Sequence, residues 1–141
     1  MKTFTRAGIS FKYPADWAVE RDESGGGWTA TVQSKGTAFF MLSLQPDAEV
    51  PIRLAEETLA ALKAEYPGVE ADEVVEPVAG LPAVGHDLEF LTLDTTTSAF
   101  TRCLDTLDGP LLAMGQTGGY DYAEHWPVLL AIKETLKVEE E

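Results

Sequence analysis

The sequence holds one cysteine, Cys103, two histidines, and only ten basic residues against 24 acidic ones. A lone cysteine excludes an internal disulfide and any cysteine-built metal site. The shortage of Lys and Arg leaves a formal charge of −14, which opposes binding to nucleic acid and to anionic membrane surfaces. No apolar run approaches the roughly 18 to 20 residues that cross a bilayer, so no membrane span is expected. The start, Met1 to Gly8, lacks the apolar core of a secretory leader, and the expected compartment is the cytoplasm. Chemistry-bearing patterns are equally scarce. A serine nucleophile would need a strand-to-helix elbow flanked by glycines, and none is present. Gly25-Gly26-Gly27 lacks the Lys-Ser or Lys-Thr pair that completes a phosphate loop. The acids from Glu70 to Glu76 lack the central glycine and distant glutamate of a calcium loop. No cofactor, no metal and no catalytic residue are therefore expected.

The remainder is that of a globular chain, 45% apolar and 9% aromatic, and 141 residues suffice for one core. One domain over 1–141 is expected. Strand periodicity dominates. Phe4 to Ala7 and Ile9 to Tyr13 read as the first two strands, and Pro14, with no N–H to donate, ends the second. Trp17 opens a third run to about Arg21, and the glycines at 25–27 turn it into Trp28 to Gln33. Thr37 to Gln45 carries apolar residues on both faces, so it belongs in the middle of a sheet. Pro51 suits a first helical turn, and Leu54, Leu59, Leu62 and Tyr66 give the helix that follows an apolar side.

After Pro67-Gly68, the acid-rich Val69 to Val78 reads as an edge strand, where charge discourages association. Val84, His86, Leu88 and Phe90 form the apolar face of the next strand. His86 on that face reads as an interior histidine, and Cys103, in the strand from Ser98 to Leu107, as a small buried hydrophobe. The two could form a nucleophile–base pair, yet no neighbouring group is visible that would make Cys103 a thiolate. Asp108-Gly109 marks a hairpin into Leu111 to Gln116. Asp121 with Glu124 resembles a capping box, and the last helix is expected to run to about Lys137, with Pro127 either kinking it or starting it. His125 reads as a capping or surface histidine. The expected order is five strands, a helix, four strands, a helix.

Tyr13-Pro14-x-x-Trp17 at the end of an early strand, the helix stop at Pro67-Gly68, the Gly80-Leu81-Pro82-Ala83 turn into a long strand and the closing helix together resemble the PsbP-like superfamily. Its members include the photosystem extrinsic protein PsbP, the bacterial DcrB group, a Ran-binding nuclear import factor and adaptor chaperones of type VI secretion effectors. The resemblance implies an α+β fold, a curved antiparallel sheet with two main helices packed on it, and a binding or assembly role rather than catalysis. Tyr13, Pro14 and Trp17 are read as its structural signature.

Two helices of about four turns cannot cover both faces of a sheet of seven or more strands. The leftover sheet face, with Leu91 and Leu93 at its border, is expected to meet a protein partner or a second copy of the chain. The alternative is a carrier of a small apolar ligand held between the sheet and the last helix, with a hydrolase the least favoured reading.

Overall fold

Pro14 divides the start of the chain between two sheets. The computed structural model describes residues 1–92 and 95–139. β1 (Lys2–Arg6) and β2 (Ile9–Tyr13) pair antiparallel around Ala7 and Gly8, both at positive φ. The Pro14 carbonyl then accepts the Trp17 N–H at 3.1 Å, closing a turn that sends the chain into the second sheet. That sheet has seven antiparallel strands in the order β3-β4-β5-β9-β8-β7-β6: β3 (Ala18–Ser24), β4 (Gly27–Gln33), β5 (Phe39–Leu44), β6 (Glu70–Val78), β7 (Leu81–Thr92), β8 (Thr95–Thr106) and β9 (Gly109–Gly118). α1 (Pro51–Glu65) follows β5, and α2 (Tyr122–Glu134) follows β9.

Side chains alternate across a strand, so the central strands feed two separate cores. On one face Phe40, Leu42, Phe100, Leu104 and Leu111 meet Phe4, Ile9 and Phe11 of the small sheet and Leu129, Ile132 and Leu136 near the end of the chain. On the other, Leu88, Phe90, Ala99, Cys103 and Leu112 meet Leu54 and Ala55 of α1. β9 shows why an apolar run can be a strand: Leu111 and Ala113 enter the first core, Leu112 and Met114 the second. Each large side chain so buried stabilises the fold by roughly 1.5–3 kcal/mol.

The architecture is α+β, as expected, with β5 and β9 central and the acidic β6 at an edge. Four details differ. The last helix stops at Glu134, because the Thr135 hydroxyl donates to the Ile132 carbonyl at 2.7 Å and accepts the Lys12 N–H at 2.9 Å. The chain then adds a tenth strand, β10 (Lys137–Val138), to the free edge of β2. Asp121 does not cap α2 with its side chain; its carboxylate accepts the Thr37 N–H and hydroxyl, each at 3.0 Å. These two donors, the N–H first, hold its carboxyl below the ordinary range. Pro127 takes the first of its two expected places, inside α2, but the β8–β9 hairpin turns at Leu107-Asp108, one residue earlier than the Asp-Gly signal implied.

Helix coverage of the sheet is indeed incomplete. α1 packs on β7, β8 and β9, leaving the same face of β3 and β4 without a helix. By register that face carries Glu20, Asp22, Thr29 and Thr31, polar side chains suited to water.

Candidate functional site

A half-open groove of about 340 Å³ lies where the first turns of α2 overhang β6, β7 and β8. Its floor follows from strand register. Antiparallel pairing sets Glu70 opposite Glu89 and Asp72 opposite Asp87, and the even positions of β6 and odd positions of β7 share the face that looks toward α2. The row through Glu70 and Glu89 continues into Ser98 on β8 and Thr117 on β9. The row through Asp72 and Asp87 continues into Phe100 and Gly115.

An aromatic pair forms the wall. Tyr122 and Trp126, one helical turn apart, stack with ring centroids 5.3 Å apart and planes 20° from parallel. Trp126 in turn stands edge-on to Phe100 at 5.8 Å, which fixes the pair against the core. That approach needs Gly115, because a Cβ there would fall 2.5 Å from the Phe100 ring. Beyond Glu70 and Glu89 the surface runs on to Leu91 and Thr96 at the end of the β7–β8 hairpin.

Beneath the groove lies an ion-pair network. Arg102, nearly buried, donates from Nε to Glu76 at 2.5 Å and from Nη2 to Asp87 at 2.8 Å, and from Nη1 to the His86 and Thr101 carbonyls. Lys133 of α2 donates to the same Glu76 carboxylate at 2.9 Å. Both cations lie within 6 Å of the Phe100 ring centre, at 5.8 and 5.6 Å. The hydrogen bond from Arg102, then that from Lys133, hold the Glu76 carboxyl below its ordinary value against the opposing effect of burial.

The residues singled out by sequence fall in separate places. Tyr13 and Trp17 are buried in the first core, and Trp17 stands edge-on to His125 at 5.8 Å. Leu91 is exposed beside the groove, and Leu93 lies outside the described residues. Cys103 and His86 point to the face covered by α1, but no hydrogen bond joins them among the described residues. Burial pushes the Cys103 thiol up to about 12, so it stays protonated at neutral pH. The space between the sheet and α2 is filled by Phe100, Leu129 and Ile132, all fully buried. The groove itself was missed at the sequence level. Its only local signal was the period-two spacing of Glu70, Asp72 and Glu76, read there as edge-strand charge.

Two sheets, with α2 on one face of the larger and α1 on the other, define a PsbP-like α+β fold. The chain is similar over 98% of its length to cyanobacterial PsbP (CyanoP) from Synechocystis, with a TM-score of 0.66, 10% identity and 92% of that chain covered. It is equally similar to PA94 of Pseudomonas aeruginosa, a protein of unknown function, with a TM-score of 0.66, 15% identity and coverage of 100% and 99%. LpqN of Mycobacterium tuberculosis, involved in cell envelope biogenesis, matches with a TM-score of 0.55 and 13% identity over 94% of this chain and 83% of its own. No protein-family model matches the sequence, and no curated protein does. At these identities the likeness is one of fold. No helix among the described residues is long and apolar enough to cross a membrane.

Proposed function

We propose that the chain is a non-catalytic, cytoplasmic protein-binding domain, an adaptor or chaperone-like module that holds a partner at the end of the β7–β8 hairpin. The observation that carries this reading is that two large, strongly exposed side chains flank that hairpin end. Leu91 is 70% exposed and Tyr120 99% exposed, and Tyr122, 42% exposed, lines the groove. Gly119 abuts Thr95, and Leu91 pairs in register with Thr96, so Tyr120 and Leu91 flank the same hairpin end. Apolar surface left together in water marks an interaction site more than scattered single residues do. Farther along the same strands, the protonated Cys103 thiol and the tied-up Arg102, Glu76 and Lys133 offer little for catalysis.

A photo-crosslinking residue at position 91 tests the reading in cells that make the protein. The expected result is one discrete adduct whose purified partner binds the chain at defined stoichiometry, lost when Tyr120 and Tyr122 are both replaced by Ser. A second copy as the partner would appear as a dimer in light scattering. No adduct together with a concentration-independent monomer overturns the reading.

A further inference from the structure

The groove floor repels itself. Residues directly opposed in antiparallel strands have Cβ atoms about 4.5–5.5 Å apart, and like charges so placed destabilise a sheet. Here Glu70 faces Glu89, and Asp72 faces Asp87, side by side on one face. Asp87 is offset by Arg102, but no cation pairs with Glu70, Asp72 or Glu89 among the described residues. A second observation is independent of this charge. Ser98, 8% exposed, lines the inner end of the groove, and its hydroxyl makes no hydrogen bond among the described residues. Next to it across the strands, the wholly buried Thr117 hydroxyl is also without a partner. Buried hydroxyls are ordinarily paired, and the Ser98 hydroxyl, which opens onto the groove, has acceptor capacity to offer a ligand's N–H.

The chemistry of a suitable cation follows from the lining. Among the described residues no three His, Cys, Asp or Glu side chains converge as ligands of one metal ion. The cation that fits is extended and has a flat face for Tyr122, which is 42% exposed over the groove. A guanidinium meets each requirement: it is planar, stacks on aromatic rings, presents several N–H donors in a fork, and is weakly hydrated compared with an ammonium.

We propose that the groove receives an arginine side chain from an extended segment of a partner protein, stacked on Tyr122 and donating to Glu89, Asp72 and Ser98. This names the partner chemistry of the protein-binding reading and rests on it. The carboxylates gain the counter-charge that the fold withholds, and the segment continues over Leu91.

The test uses a capped penta-arginine peptide titrated into the full chain, followed by amide NMR shifts and tryptophan fluorescence. Expected are saturable shifts centred on Glu89, Ser98 and Tyr122. The double variant E70Q/E89Q should bind at least tenfold more weakly and melt at or above the parent temperature, since the repulsion is gone. E56Q/E57Q, an equal charge change on α1, should weaken binding less than threefold. Equal weakening by both pairs, saturable calcium binding at the same residues, or no saturable peptide binding would each overturn the proposal. The crosslink at position 91 separates this inference from the broader one. An adduct that persists unchanged in E70Q/E89Q keeps the protein-binding reading and removes arginine recognition, whereas loss of any partner in the parent removes both.

Discussion

Arg102 on β8 and Lys133 on α2 share one carboxylate oxygen of Glu76, at 2.5 and 2.9 Å. Neither cation has appreciable contact with water, with side chains 5% and 8% exposed, so Glu76 is what ties the last helix to the edge strand electrostatically. Removing one member of such a group leaves the others charged and uncompensated.

Glu76→Gln is expected to destabilise the fold by about 2–3 kcal/mol, below the roughly 3–5 kcal/mol of a wholly buried pair because part of Glu76 meets water. Urea denaturation of the variant checks this. A loss no larger than that of an exposed Glu56→Gln control would show that the network contributes nothing to stability.

The same network sets an acid limb. The Glu76 carboxyl is lowered from 4.5, first by the Arg102 hydrogen bond and then by that from Lys133. A group held lower in the folded chain stabilises it fully above its unfolded value, and that stabilisation is lost as pH falls through the lowered one. The melting temperature of the parent should therefore drop more steeply below about pH 4.5 than that of Glu76→Gln. Parallel acid limbs in the two proteins would contradict the assignment.

Trp17 plugs the entry from the small sheet into the large one and meets His125 edge-on. Trp17→Ala should cost roughly 3–5 kcal/mol, the range for deleting a buried aromatic side chain. An unchanged melting temperature with lost partner binding would instead move this stretch from the core to the binding surface.

Gly115→Ala places a methyl group 2.5 Å from the Phe100 ring, which cannot move away without displacing Trp126. A cost of about 1–3 kcal/mol is expected, with an altered near-ultraviolet circular dichroism signal from Trp126. A crystal structure of the variant with Phe100 and Trp126 in place would refute the coupling.

Cys103 is wholly buried, and its thiol is pushed up to about 12. An aromatic disulfide reagent at pH 8 should label the native chain only as fast as the chain opens, and at once in denaturant. Rapid stoichiometric labelling of the native protein would mean that the thiol is accessible.

Much of the fold was legible because its causes are local. Alternation from Ile9 to Tyr13 and from Val84 to Phe90, the stop at Pro14, the glycine turn at 25–26 and the Pro51 helix start each depend on neighbours a few residues away. The groove was not legible. Glu70 and Glu89 look like ordinary solvated acids in sequence, and only register sets them face to face. Tyr122 and Trp126 are spaced as a helical pair, but what they overhang is set by where α2 docks.

By itself, the sequence determined where both helices and all but the last strand lie, which strands are buried on both faces, and that the net charge is strongly negative. Those properties follow from side-chain period, turn chemistry and net charge. Tertiary structure alone decided the split into two sheets, the β10 addition and the ties from Glu76 to Arg102 and Lys133 and from Asp121 to Thr37. Those ties span 26, 57 and 84 residues of chain, and no local pattern encodes a partner at such separation. The groove belongs to the same class: its charge is written in the sequence, and its geometry exists only once β6, β7, β8 and α2 have met.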